Sequence, residues 1–65
     1  MNRVFPTPMN VVTLLKGEQR FVFLFDNVSL TEAIQMAKRY AADPEFLFNW
    51  YDASVVIRIM RSLVK

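Results

Sequence analysis

Two short runs of this chain are apolar at nearly every position: Phe21-Val22-Phe23-Leu24-Phe25 and Phe46-Leu47-Phe48-Asn49-Trp50-Tyr51. A half-buried strand alternates apolar and polar residues because successive side chains point to opposite faces. Neither run alternates cleanly, so both call for cover on two sides. Upstream, Val11-Val12-Thr13-Leu14-Leu15 has the β-branched character of a strand. Lys16-Gly17-Glu18-Gln19 holds the chain's single glycine between two apolar runs and predicts a hairpin turn. The natural register sets Leu15 opposite Arg20, Leu14 opposite Phe21 and Val12 opposite Phe23. One face then carries Val12, Leu14, Phe21, Phe23 and Phe25. The other carries Val11, Thr13, Leu15, Arg20, Val22 and Leu24, and is far from polar.

After Asp26-Asn27, the sequence Ser29-Leu30-Thr31-Glu32 has the form of a capping box, and the helix it opens is expected to run to about Ala42. Asp43 precedes Pro44 and is disfavoured in helical geometry. Ala33, Ala37 and Ala41 form a small-residue ridge down the middle of the apolar face, suited to close approach by the hairpin phenylalanines. Phe46 to Tyr51 is read as a third strand, parallel to the second and beside either the first or the second. The alternative is that Asp43 caps a helix beginning at Pro44, which would make the aromatic run helical. Asp52 is read as the N-cap of a last helix from Ala53 to near Lys65. The predicted fold is a small single α+β domain of order β-β-α-β-α, a three-stranded mixed sheet packed with two helices. A strand-helix-strand connection is right-handed, which places the first helix on one face of the sheet.

Residues 1–10 form an extended arm before a domain spanning 11–65. Pro6 and Pro8 remove two amide donors and keep the arm out of a sheet interior, while Val4, Phe5 and Met9 call for a surface to lie against. Sixty-five residues make one domain near the lower limit for a fold without staples, and there is no Cys and no His. Disulfides and ordinary zinc sites are thereby excluded, and 54% hydrophobic content has to supply the core. No signal-peptide pattern and no run of roughly 20 apolar residues is present, so a soluble, cytoplasmic protein is expected.

The candidate chemistry is sparse. Parallel second and third strands would bring Asp26 and Asp52 to one end of the sheet, near Asn27 and Ser29, where two carboxylates could hold a hard cation or do acid-base work. The simpler reading is that Asp26 closes a turn and Asp52 caps a helix. With no His, no Cys and no Gly-rich phosphate loop, an enzyme is not favoured; no cofactor and no metal site is expected. Arg58, Arg61 and Lys65 lie at i, i+3 and i+7 on the last helix, and no acidic residue follows Asp52. Such a stripe suits a phosphate backbone, though cations in the last turns also complement the helix dipole. Trp50 and Tyr51 suggest base stacking or a small-ligand slot; the core is preferred for Trp50, and Tyr51 is left open.

The last helix carries Ala53, Val56, Ile57, Met60, Leu63 and Val64 on one side, and Val55 and Ile59 widen the apolar arc beyond what one sheet buries. The surplus, with Val22, Leu24, Leu47 and Tyr51 on the second sheet face, predicts a protein–protein contact, most simply a homodimer. The alternative is that the last helix wedges between the sheet and the first helix and buries everything within one chain. A basic nucleic-acid-binding accessory protein is the reading from a second class, and a carboxylate-based enzyme is a third. The segments from Leu15 to Asp26 and from Pro44 to Ala53 resemble those of short bacterial proteins of unknown function, a likeness over roughly two thirds of the chain. It implies a free-standing small protein and brings no activity, cofactor or partner.

Overall fold

The structure, a computed structural model, describes residues 9–64. Most of the N-terminal arm, with Val4, Phe5, Pro6 and Pro8, lies outside the described residues, as does Lys65. The element order is β1 (Asn10–Lys16), β2 (Gln19–Phe25), α1 (Leu30–Ala42) and α2 (Trp50–Leu63). The two strands pair antiparallel in the register expected from the turn, Val12 with Phe23, Leu14 with Phe21 and Leu15 with Arg20. A two-residue loop closes the hairpin. Gly17 at its first position has φ of 60° and no other residue has a positive φ among those described, which is the type II′ pattern that favours glycine there. A Cβ on Gly17 would also stand 3.0 Å from Leu47 Cδ1. Gly17→Ala is therefore expected to cost about 1 kcal/mol or more, read as a lower urea midpoint with an unchanged slope.

The domain has two layers. Val12, Phe21, Phe23 and Phe25 on the inner face of the hairpin meet Ala33, Ile34 and Ala37 of α1 and Ala53, Val56 and Met60 of α2 in one buried cluster, with Ala41 packed against it. α1 lies against β2 and α2 against β1, and the helices touch each other. The alanine ridge does what its spacing suggested: with methyl groups along the middle of that face, α1 comes close enough for Phe25 and Ala37 to be fully buried.

The expected third strand is absent; the sheet has two strands among the described residues. Asp43 ends α1 in extended geometry, as the following proline requires. Its carboxylate then accepts from Glu45 N at 2.9 Å, and its carbonyl accepts from Phe46 N at 3.1 Å, so the chain turns at Pro44. Helix α2 starts at Trp50, earlier than expected, and takes the last two residues of the aromatic run. What remains, 46–49, is too short for a ladder, and the Leu47 amide is taken by the Gln19 side chain. Neither the strand nor a helix from Pro44 forms. The run is a linker that pushes one ring, Phe48, into the core.

The capping at both helix starts also differs from the sequence reading, although α1 begins after Ser29 as expected. Ser29 stands at the N-cap of α1 but makes no capping bond with its side chain. Its hydroxyl accepts from Asp26 N at 2.9 Å and donates to Asp26 Oδ1 at 3.0 Å. Asp26 Oδ1 also accepts from Val28 N and Ser29 N. The Ser29 hydroxyl thus accepts from the Asp26 amide and donates to the Asp26 carboxylate, which turns it toward its own loop and away from the amide of Glu32. The reciprocal box forms instead at α2, where Asn49 is the N-cap and Asp52 sits three residues in.

Candidate functional site

The residues singled out from sequence fall on three separate surfaces. Val22 and Leu24 lie on the outer face of the hairpin, 46% and 59% exposed, with Val11 and Leu15 beside them. Both helices cover the inner face, so no described element covers this one. Tyr51, Val55 and Ile59 follow one another at i+4 along α2, in the other layer; Tyr51 and Ile59 are exposed and Val55 is half-buried. Leu47 sits at the hairpin turn, over Gly17. The single patch expected from α2 and the second sheet face therefore divides. With no third strand, Leu47 and Tyr51 have no place on the sheet.

Arg58 and Arg61 are exposed on α2, and Trp50, expected in the core, is 59% exposed. The last helix does not wedge to bury its whole apolar arc, since Ile59 and Leu63 also remain exposed. The core position expected for Trp50 is taken by Phe48, whose ring lies 4.9 Å from Phe21 and 6.0 Å from Phe23 and Tyr40. Once α2 is capped at Asn49, the first helical residue points away from the sheet side.

The two carboxylates proposed as a pair are each committed to other partners. Asp26 serves its own turn, as described above. Asp52, only 7% exposed, takes Asn49 N at 3.0 Å and Lys16 Nζ at 2.8 Å on the same oxygen, Oδ2. The Lys16 ammonium first, and then the Asn49 amide, hold its carboxyl below the ordinary 3.8, against the opposing push of burial. This arrangement stabilises a charged Asp52, which suits a structural anchor better than a proton-transferring group. No group of three or more His, Cys, Asp or Glu gathers among the described residues in a way that would hold a metal ion. An open groove of about 180 Å³ runs between β2 and α1, lined by Val22, Leu24, Ala33 and Met36 with Ser29 and Glu32 at its rim. It is smaller than the roughly 300–1,000 Å³ of small-molecule sites, and Glu32 is its one ionisable group.

No family model, curated protein or solved structure matches this chain.

Sequence reasoning missed the clamp at the hairpin end. Of Lys16 and Gln19, the last pair of the ladder, Gln19 reaches across to the segment before α2 and Lys16 to the first turn of α2. Gln19 Oε1 accepts from Leu47 N at 2.7 Å while its Nε2 donates to Glu45 O at 3.4 Å, and Lys16 holds Asp52. The signal available was Asn49-x-x-Asp52, a box pattern with Asn in place of the usual Ser or Thr and the shorter Asp in place of the usual Glu or Gln. No helix among the described residues is long and apolar enough to cross a membrane.

Proposed function

We propose that the protein is a small interaction module that self-associates through the outer face of its hairpin. The observation that carries this reading is the run of large aliphatic side chains there. Val11, Leu15, Val22 and Leu24 are all about half exposed or more, on a face no described element covers. Antiparallel sheets that leave one face to water normally place polar residues on it. Here Thr13 and Arg20 are the polar exceptions. Two copies placed face to face would interdigitate these residues as in a β-sandwich, leaving the helices outside. The exposed arc of α2 lies in the opposite layer and is a separate surface.

Light scattering coupled to size exclusion tests the reading. The wild-type chain is expected at twice its 7.6 kDa mass at tens of micromolar, and the Val22→Lys/Leu24→Lys double variant at the mass of one chain with an unchanged far-UV spectrum. Ile59→Asp, on the other layer, is expected to leave the dimer intact. A wild-type mass of a single chain at that concentration overturns the proposal, and so does a dimer that survives the double lysine variant.

A further inference from the structure

The outer side of α2 presents a second surface of different chemistry. Trp50, Ser54, Arg58 and Arg61 recur at i, i+4, i+8 and i+11, within an arc of about 80° at 100° per residue. All four are exposed. The stripe is about 16 Å long at 1.5 Å per residue. Asp52, the one acidic residue of α2, lies about 200° around the helix from Trp50 and is bound to Lys16 on the inner side. Nothing acidic on the helix itself opposes the two guanidinium groups. Ser54 turns its hydroxyl back to Tyr51 O at 2.7 Å, so the middle of the stripe is short and offers no competing donor. Tyr51, 73% exposed, flanks Trp50.

We infer that this stripe binds single-stranded nucleic acid, with a base stacked on Trp50 and neighbouring phosphates on Arg58 and Arg61. An exposed indole in line with two guanidinium groups combines the two features that sequence-tolerant single-strand binders use, a stacking platform and a positive track. A duplex fits poorly, because its bases are not free to stack on a side chain. DNA and RNA share the stacking and phosphate chemistry and differ at the 2′-hydroxyl. This surface lies in the layer opposite the proposed self-association face, so each proposal stands or falls by its own experiment.

Trp50 is the only tryptophan in the chain and reports on its own contact. In the full-length protein at low salt, short oligothymidylate and oligouridylate are expected to quench its emission, and the ratio of the two affinities separates DNA from RNA. Two phosphate contacts set a slope of about −1.4 for log K against log salt, at roughly −0.7 per contact on a single strand. The Arg58→Ala/Arg61→Ala variant is expected to lose binding at least tenfold while keeping its helical spectrum. Trp50→Phe, followed by anisotropy of a labelled oligonucleotide, is expected to bind several-fold more weakly with the same salt slope. Inorganic polyphosphate is expected to compete without quenching. The inference is overturned by no response to either oligonucleotide at low salt. It is equally overturned by duplex DNA binding as tightly as single strands, by polyphosphate quenching as strongly as the oligonucleotides, or by anionic vesicles binding where oligonucleotides do not.

Discussion

Phe48→Ala is expected to unfold this domain or bring it close to unfolding at room temperature. Phe48 is 1% exposed and stands in a linker, with no ladder or helix to hold it. Its position is fixed by the rings of Phe21, Phe23 and Tyr40 around it. Truncating a buried phenylalanine costs about 3–5 kcal/mol, part from lost transfer energy and part from the cavity left behind. A domain of this size has a total stability of only about 3–10 kcal/mol, at roughly 0.05–0.15 kcal/mol per residue. The linker has little freedom to collapse into the void, because Gln19 holds its backbone on both sides of Phe46. Phe46→Ala is the matched control. Phe46 touches Tyr40 and Phe21 edge-on but remains 38% exposed, so a cost of about 1–2 kcal/mol is expected there. Thermal unfolding followed by circular dichroism at one fixed protein concentration compares the two. If Phe48→Ala melts within a few degrees of wild type, the linker does not belong to the core.

That contrast shows what the amino-acid pattern could and could not reveal. The hairpin was legible down to its register because a glycine in a polar tetrad leaves few ways to close two apolar runs, and period-two alternation fixes which side chains share a face. The end of α1 was legible because Asp43-Pro44 forbids its continuation. The stretch 46–51 was not. Aromatic density signals burial, and burial is as well served by one ring inserted from a loop as by a strand. What decides between them is whether the backbone finds a ladder partner, and the Gln19 side chain, 28 residues earlier, takes the Leu47 amide. Such a long-range bond leaves no local pattern. The same blindness misplaced Trp50. A cap assigned to Asp52 put Trp50 in a strand and turned it inward, whereas a cap at Asn49 makes it the first helical residue and leaves it exposed. The surplus of apolar surface was legible from composition and periodicity, but its division between two layers was not, because that follows from the missing strand.

Replacing Asp52 is expected to loosen α2 from the hairpin and to remove part of the protein's acid sensitivity. One carboxylate joins three elements: it closes the capping box with Asn49, sits in the first turn where the helix dipole favours a negative charge, and holds Lys16 at the end of β1. Asp52→Ala leaves the Asn49 amide without its acceptor and the Lys16 ammonium without its partner. Loss of the capping box costs about 0.5–2 kcal/mol, and the ion pair, whose Lys16 end reaches water, adds at most about 1 kcal/mol, so a total of about 2 kcal/mol is expected. Asp52→Asn keeps an acceptor for the amide and is expected to lose about half as much. The sign of the pH dependence follows from the folded-state carboxyl being held below its ordinary 3.8 by Lys16 and Asn49. A group depressed in the folded state stabilises the protein above its unfolded value, and that contribution disappears as pH falls through the lower, folded value. Wild-type stability is therefore expected to fall below pH 3.8 more steeply than that of Asp52→Asn, while the other carboxylates contribute equally to both curves. Lys16→Met removes the larger of the two causes and leaves the box in place. It is expected to move the Asp52 titration, followed by carboxyl-carbon chemical shift, back toward 3.8 without unfolding α2. An Asp52 carboxyl that titrates at its ordinary value in the wild type, or stability curves of wild type and Asp52→Asn that run parallel in acid, would show that the clamp between hairpin and helix is not formed in solution.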